Sequence, residues 1–151
     1  MIEGVRVKKL VTHCDDRGYF REVLRDDDEL LTNFGQTSFT KTNPGVIKAF
    51  HWHKRQDDLW YVADGMAKVV LHDMRENSDT QGETDVIVAG EDNPVMIKIP
   101  IGVAHGYQVL GNKPVMLFYH TTESYNPDDP DEERVDFDDP KIGFDWSIKN
   151  R

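Results

Sequence analysis

The stretch GVIKAFHWHKRQDDLWYVADG, from Gly45 to Gly65, decides the fold. It contains two short β-rich runs, GVIKAF and LWYVAD, which are separated by a polar segment and followed by the turn signal Asp64-Gly65. Similar runs follow along the chain, namely AKVVLHDM, DVIVAG, VMIKIP and PVMLFYHT, with glycine, asparagine and proline between them. Many short strands at close spacing predict an all-β protein whose sheets close into a barrel or stack as a sandwich.

Length and composition predict a single domain over residues 1–151, because 38% hydrophobic and 30% charged residues suit one globular core of this size. Only the segment from Asp27 to Phe34 reads as a short helix. No apolar run is long enough to span a bilayer and the N-terminus lacks a secretory signal. We therefore expect a cytoplasmic protein that does not enter a membrane.

The charge pattern excludes one class of partner. A net charge of −10 repels polyanions, so we expect no binding to nucleic acid. Much of the acid lies between Asn126 and Asp139, a segment rich in aspartate and proline. We interpret this segment as a solvated surface loop.

Three histidines form the densest cluster of chemically active residues. His51 and His53 are two apart on a predicted strand, which places both imidazoles on one face. His105 follows the turn at residues 100–104, and a neighbouring strand could bring it to the same barrel interior. Imidazoles gathered at the mouth of a β-barrel indicate catalysis or metal binding.

Separate blocks of the sequence, in the correct order, resemble those of the dTDP-4-dehydrorhamnose 3,5-epimerase family. The blocks are DDRGYFRE at residues 15–22, GVIKAFH at 45–51, DMRENSDTQG at 73–82, PIGVAHG at 100–106, and the closing motifs YNP at 125–127 and DDP at 138–140 with Trp146. Each block alone is a weak signal. Their order along most of the chain makes the family signal strong.

The resemblance implies a cupin-type jelly-roll barrel with short peripheral helices, which forms a homodimer by strand exchange and needs no metal or redox cofactor. It implies a nucleotide-linked 4-keto-6-deoxysugar as substrate, epimerised at one or both carbons beside the keto group. By position, His51 matches the family's base and Tyr125 its acid, which acts on the opposite face of the sugar. A neutral imidazole is abundant at physiological pH and suits the role of base.

The same resemblance assigns further residues to substrate binding. They are Arg17, Phe20, Glu22, Gln36, Lys48 and His105. Arg17 and Lys48 suit diphosphate oxygens, because guanidinium and ammonium groups pair well with phosphate. Such local basic contacts would offset the negative charge of the whole chain.

Two substitutions depart from the family pattern inside this site. Asp58 stands where the family carries a lysine for the enolate, and a carboxylate there would repel that enolate. Lys48, Lys54 or Arg55 could supply the missing positive charge. Ser38 stands where the family carries an asparagine, which bears on sugar or base selectivity.

The third departure is at the C-terminus. The chain stops five residues after Trp146, whereas family members commonly continue with a tail that supplies the aspartate partner of the base. Another acid could orient His51 instead, and Asp73 and Asp139 are the candidates. A structural ion pair between Asp73 and Arg75 is the competing interpretation of the first of them.

Two other functions compete with the epimerase. In a metal-binding cupin, His51, His53, Asp58 and His105 would approximate an H-x-H…E…H ligand set, and imidazoles with a carboxylate suit Zn, Fe, Mn or Ni. Against it, the carboxylate is aspartate rather than glutamate, and His53 also reads as a polar residue at the barrel mouth. A non-catalytic sugar-nucleotide-binding relative is the third possibility, which the presence of both His51 and Tyr125 disfavours.

Overall fold

Residues 1–149 are described by a computed structural model, in which nearly all regular structure is β-strand. The strands are β1 (Arg6–Lys9), β2 (His13–Asp15), β3 (Gly18–Phe20), β4 (Gln36–Thr42), β5 (Ile47–Trp52), β6 (Asp58–Asp64), β7 (Met66–Asp73), β8 (Thr84–Gly90), β9 (Val95–Ile99), β10 (Val103–Leu110), β11 (Val115–Thr121) and β12 (Glu133–Arg134). The predicted all-β class is confirmed.

The strands form two five-stranded antiparallel sheets and a separate hairpin. The first sheet has the order β1-β9-β6-β11-β4, and the second has the order β12-β5-β10-β7-β8. Strands β2 and β3 pair only with each other. The two large sheets face each other across a shared core, which is the jelly-roll barrel that the sequence predicts.

Apolar side chains from both sheets fill the space between them. Trp60 and Leu117 come from the first sheet, and Val69, Leu71 and Tyr107 come from the second. All five are almost completely buried, and each large apolar side chain so buried contributes about 1.5 to 3 kcal/mol relative to exposure. Trp60, Leu117 and Tyr107 also line the cavity described below, so the core forms its floor.

The predicted helix from Asp27 to Phe34 is wrong in extent. A single 3-10 turn covers Asp26–Asp28, and it ends because Glu29 adopts a left-handed backbone conformation with φ 55°. The apolar residue that follows, Leu30, is buried in a small cluster beneath this turn with Leu59. No helix within the described part of the chain has the length and apolarity needed to cross a membrane.

The C-terminal segment covers the outer face of the second sheet. Trp146 packs against Phe50, with ring centroids 5.4 Å apart, and its indole Nε1 donates a hydrogen bond of 2.9 Å to the carbonyl of Phe137. Lys68 of β7 donates a hydrogen bond of 2.7 Å to the carbonyl of Trp146. These contacts fasten the segment to β5 and β7.

The acidic stretch from Asn126 to Asp139 is mostly exposed, as predicted for a surface loop, but it is also held against the second sheet. Its strand β12 pairs with β5, and Asp131 accepts hydrogen bonds from three consecutive backbone N–H groups. The donors belong to Lys54, Arg55 and Gln56, at 2.9, 2.7 and 3.1 Å. These bonds lower the pKa of Asp131 although partial burial of the carboxyl opposes the shift. The stretch therefore forms a wall beside the end of β5.

The connection between β7 and β8 is held by a second carboxylate. Asp73 is fully buried and accepts hydrogen bonds from the Arg75 guanidinium at 2.7 and 2.8 Å and from the hydroxyls of Ser78 and Thr80 at 2.6 Å each. The Arg75 guanidinium is the largest of the causes that hold the pKa of Asp73 well below its usual range. The interpretation of Asp73 and Arg75 as a structural ion pair is confirmed.

Candidate active site

A large cavity opens between the two sheets. It has a volume of about 1470 Å³, and strands of both sheets together with the acidic stretch form its walls. The first sheet contributes Gln36, Asp58 and Trp60, and the second contributes Lys48 and His51. A cleft of this size with mixed polar and aromatic walls suits a ligand as large as a nucleotide sugar.

The three histidines of the sequence analysis meet next to this cavity, and His51 and His53 line it. Strand β10 pairs with β5 so that His105 lies opposite His51, and their ring centroids are 4.5 Å apart. His53 lies 5.9 Å from His51 and 5.3 Å from His105 by the same measure. The predicted shared face of His51 and His53 and the predicted approach of His105 are both confirmed.

Gly106 permits the close approach of these two strands. A Cβ atom at this position would lie 2.3 Å from the Cβ of Ala49 and 2.7 Å from the carbonyl oxygen of Lys48. Both distances are shorter than van der Waals contact, so only glycine fits between the strands here. The register between β10 and β5 shifts at the same point, between His105 and Tyr107.

The second sheet supplies the imidazoles, and the first sheet supplies a carboxylate. Asp58 begins β6 and has only 3% of its surface exposed. Its Oδ1 lies 3.6 Å from Nε2 of His53, and its Oδ2 lies 3.6 Å from Nε2 of His105. It also accepts hydrogen bonds from Gln56 Nε2 at 2.9 Å and from Trp60 Nε1 at 3.2 Å. The negative charge that replaces the family's lysine is therefore countered within the cluster.

Burial and neighbouring charges set different protonation states inside the cluster. Burial, reinforced by the nearby His105, lowers the pKa of His51 to about 3, which leaves this imidazole neutral at pH 7. Burial also opposes charge on His53, but the carboxylate of Asp58 outweighs it and raises the pKa of His53. Burial would raise the pKa of Asp58, whereas the imidazoles of His105 and His53 lower it well below its usual range. The site combines a neutral imidazole with an imidazole–carboxylate pair.

Backbone carbonyls fix the orientation of two imidazoles. Nδ1 of His105 contacts the carbonyl of Val103 at 2.9 Å, and Nδ1 of His53 contacts the carbonyl of Asp131. A carbonyl only accepts hydrogen bonds, so both Nδ1 atoms carry hydrogen and both Nε2 atoms face the cluster. His53 is buried, with 6% of its surface exposed, and it lines the cavity. One ring nitrogen from each of the three histidines lies within 4.8 Å of the others, an arrangement that could hold a metal ion.

The structure brings four of the residues predicted from the family together on the cavity wall. These are Gln36, Lys48, His51 and Tyr125. The Gln36 amide oxygen accepts a 2.8 Å hydrogen bond from the backbone N–H of Tyr125, whose side chain is 63% exposed at the rim. Lys48 donates a 3.1 Å hydrogen bond to the hydroxyl of Thr40. His105 is buried next to His51 rather than lining the cavity.

The other predicted substrate contacts lie elsewhere. Arg17 and Phe20 belong to the hairpin of β2 and β3, and Glu22 follows it. Phe20 is 64% exposed, and Arg17 pairs with Asp15 at 2.5 Å while most of its side chain faces solvent. None of the three lines the cavity of its own chain over the described residues.

Neither carboxylate that was predicted to orient His51 does so. Asp73 is engaged by the Arg75 network, and the Asp139 carboxylate accepts a 2.7 Å hydrogen bond from the backbone N–H of Lys141. Within residues 1–149, no carboxylate hydrogen-bonds to the ring of His51. The nearby carboxylate that acts on His51 is Asp58, which lies in the cluster at the start of β6. Its negative charge raises the pKa of His51 and so opposes the effect of burial.

Sequence analysis missed several residues of the cavity. Arg134 lies opposite His51 where β12 pairs with β5, and it was hidden in the acidic stretch. Trp60 packs edge-on against His105 with ring centroids 5.0 Å apart, although a tryptophan in a barrel strand more often packs only in the core. The spacing of two between Asp58 and Trp60, which places both on one face of β6, was the available signal.

A jelly-roll barrel with a histidine–carboxylate cluster under an open polar cavity is the architecture of a cupin-type enzyme. Comparison with known proteins identifies the family within this class. The dTDP-4-dehydrorhamnose 3,5-epimerase family model matches residues 1–151, and the chain belongs to this family. It is an epimerase of the isomerase class, as the sequence blocks predicted.

Relatives along the whole chain agree with this assignment. The spore coat polysaccharide biosynthesis protein SpsL of Bacillus subtilis is 60% identical over 151 residues, which is 100% of both chains. The probable low-salt glycan biosynthesis epimerase Agl13 of Haloferax volcanii is 39% identical over 98% of this chain and 96% of its own.

Solved structures of two further relatives share the fold. A dTDP sugar isomerase from Desulfovibrio desulfuricans is 29% identical with a TM-score of 0.90, covering 99% of this chain and 94% of its own. The dTDP-6-deoxy-D-glucose-3,5-epimerase of Legionella pneumophila, solved with dTDP-4-keto-L-rhamnose, is 26% identical with a TM-score of 0.87. That match covers 99% of this chain and 82% of the other.

Proposed function

We propose that this protein epimerises a nucleotide-linked 4-keto-6-deoxysugar at one or both carbons beside the keto group and thereby supplies a sugar for polysaccharide assembly. The observation that carries the proposal is His51 on the floor of a nucleotide-sized cavity, with Tyr125 on the wall of the same cavity. The names of the relatives support the pathway, since two are named for polysaccharide or glycan biosynthesis and one was solved with a 4-keto sugar nucleotide.

His51 acts as the base in this proposal. A proton beside a keto group is removed as an enolate forms, so the base must be uncharged before the step. Burial lowers the pKa of His51 to about 3 and so keeps the imidazole neutral at pH 7. The same lowered pKa makes the imidazole a weaker base. Binding of an anionic sugar nucleotide next to the ring would favour its protonated form and recover part of that strength.

Tyr125 acts as the acid that returns the proton to the opposite face of the sugar. Its backbone is held to Gln36 of β4, in the first sheet, whereas His51 is on β5 of the second sheet. A sugar ring between the two sheets would therefore have the base on one side and the acid on the other. Inversion requires this arrangement, because the proton must leave from one face and return to the other.

Lys48 supplies the positive charge that the family's lysine would bring. Of the three candidates, Lys54 is paired with Glu133 at 2.5 Å and Arg55 with Asp129 at 3.0 Å. Lys48 lines the cavity, and over the described residues it has no carboxylate partner. We assign it to the enolate oxygen or to the diphosphate, both of which are anionic.

The active form is proposed to be a cytoplasmic homodimer. Arg17, Phe20 and Glu22 lie outside the cavity of their own chain, and the first two are mostly exposed on a hairpin that pairs with no other strand. Exchange of this hairpin between subunits would place them at the partner's cavity, as the family resemblance implies. A monomer at working concentration in chromatography would contradict this arrangement.

Proton NMR tests the reaction directly. The chelator-treated protein is mixed with dTDP-4-keto-6-deoxyglucose in deuterated buffer, and the signals of the protons at carbons 3 and 5 are followed. Loss of signal at either carbon supports the epimerase and identifies the inverted centre. Absence of exchange with this and other 4-keto sugar nucleotides would contradict the proposed function.

Replacement of Tyr125 separates the two proton transfers. In Tyr125→Phe we expect exchange at the substrate carbon to continue, because His51 is intact, while formation of the epimer falls about 100-fold. Exchange is read from the NMR signals, and the epimer from the products after reduction. An unchanged epimer yield would remove Tyr125 from the role of acid.

A further inference from the structure

The distances around Asp58 are unusual for hydrogen bonds. Both of its oxygens lie 3.6 Å from an imidazole Nε2, one on His53 and the other on His105. A good N–H···O hydrogen bond measures about 2.7 to 3.2 Å, so both contacts are too long. Around a tetrahedral zinc ion with bonds of about 2.0 to 2.1 Å, neighbouring ligand atoms lie about 3.4 Å apart. The observed separations are close to those of ligands that share one ion.

The imidazoles are oriented as metal ligands usually are. Nδ1 of His105 and Nδ1 of His53 each face a backbone carbonyl, and this contact directs Nε2 of each ring into the cluster. His105 is 1% exposed, and its Nε2 is a buried polar atom without a hydrogen-bond partner. A buried nitrogen of this kind is costly unless something satisfies it. A cation at the centre of the cluster would satisfy it.

The third imidazole of the cluster is also nearby. One ring nitrogen of His51 lies within 4.8 Å of one ring nitrogen of His53 and of one ring nitrogen of His105. Gln56 and Trp60 donate hydrogen bonds to Asp58 at 2.9 and 3.2 Å, and they hold its carboxylate toward the imidazoles. Three imidazoles and one carboxylate form a donor set that favours zinc and similar transition metals over magnesium or calcium.

We propose that His51, His53, His105 and Asp58 bind one divalent transition-metal ion of the zinc class, and that this ion inhibits the epimerase by occupying the nitrogen of His51. The inhibition rests on the proposed function, since an imidazole whose lone pair is bonded to a metal cannot accept a proton from the sugar. The binding itself does not depend on that function. The cluster would thus be a site where metal and substrate compete.

Cobalt and zinc binding test the site without any activity measurement. The chelator-treated full chain is titrated with Co²⁺, and we expect visible absorption bands of a four-coordinate ion that saturate at one equivalent and disappear on addition of Zn²⁺. Equilibrium dialysis with Zn²⁺ gives the stoichiometry independently. Less than half an equivalent of bound Zn²⁺ at saturating concentration would overturn the proposal.

Matched histidine variants locate the ion. His105→Ala removes one ligand, and we expect at least tenfold weaker Zn²⁺ binding and loss of the cobalt bands. His72→Ala is the control, because His72 is buried and bonds only to Thr84 outside the cluster, so its binding should equal that of the wild type. Asp58→Asn, which keeps the shape of the side chain, provides a second test if His105→Ala does not fold by circular dichroism. Unchanged binding in the folded ligand variants would overturn the assignment.

The competition is tested in the deuterium exchange reaction. We expect one equivalent of Zn²⁺ to slow exchange at least tenfold, and excess chelator to restore it. Exchange that is unaffected by bound Zn²⁺, or that requires it, would overturn the inhibitory role. If no exchange occurs under any condition, the proposed function fails, while the cobalt spectrum still decides whether the metal site exists.

Discussion

Two buried aspartates, Asp58 and Asp73, have opposite surroundings. The carboxylate of Asp73 is surrounded by hydrogen-bond donors. The Arg75 guanidinium and two hydroxyls lie 2.6 to 2.8 Å from its oxygens, and the backbone N–H of Arg75 donates a further hydrogen bond at 3.0 Å. Within residues 1–149, Asp58 receives two hydrogen bonds and faces two imidazoles across gaps of 3.6 Å, beside an open cavity. Two carboxylates that are similarly buried can therefore differ in how many hydrogen bonds they accept and in whether they face a cavity.

The largest effect is expected at His51, the proposed base. His51→Ala removes the cavity-lining imidazole that burial keeps neutral, so the rate of deuterium exchange should fall about 1,000-fold. NMR exchange rates measure this, and His72→Ala is the control that should keep the wild-type rate. Exchange at the wild-type rate in His51→Ala would show that another group is the base.

Asp73→Asn should act on stability instead. It leaves the Arg75 guanidinium beside a neutral amide, and a guanidinium cannot lose its charge by releasing a proton. We expect the free energy of unfolding to fall by about 3 kcal/mol, with the exchange rate per folded molecule unchanged. Urea denaturation measures the first quantity. A stable but inactive Asp73→Asn would place this network in the active site and remove the contrast between the two aspartates.

Asp58→Asn should lower the exchange rate and leave the stability nearly unchanged, which is the reverse of the result expected for Asp73→Asn. The imidazoles next to it can become neutral, so no charge is stranded, and the cost of burying a carboxylate is removed. We expect unfolding to change by no more than about 1 kcal/mol. Exchange should fall about 100-fold, because the negative charge that favours the protonated form of the His51 imidazole is lost. A shift in the pH dependence of the rate would distinguish this electrostatic role from a structural one.

The smallest effect is a pH dependence. The Arg75 network lowers the pKa of Asp73 in the folded protein. The ionised Asp73 carboxylate therefore stabilises the fold above the unfolded-state pKa of about 3.9, and this stabilisation is lost as the pH falls below that value. Below about pH 4 the wild type should lose up to about 1.4 kcal/mol more per pH unit than Asp73→Asn. Equal acid slopes in urea denaturation series would contradict the assigned pairing.

Much of the fold and several residues of the cavity wall could be predicted from residue patterns. The short β-rich runs predict the two sheets, and the spacing of His51 and His53 predicts their shared face. The resemblance to the family points to His51, Tyr125, Gln36 and Lys48, all of which line one cavity. These features depend on local sequence, where strand alternation and turn chemistry act directly.

The rest depends on contacts across the fold. The environment of Asp58 was not predictable, because its imidazole partners belong to the other sheet and their approach depends on strand register. The wall formed by the acidic stretch was missed for a similar reason, since Asp131 is tied to backbone N–H groups about 75 residues away. The helix from Asp27 to Phe34 failed because the left-handed conformation of Glu29 ended it after one turn.

The close contact at Gly106 has a consequence for how this site can change during evolution. Any side chain there would have to part β5 from β10, and the two histidines on those strands would move apart with them. The spacing of the imidazoles is thus encoded at a position that has no chemistry of its own. A search that considers only histidine, aspartate and other reactive residues would therefore miss Gly106, on which the geometry of the histidines depends.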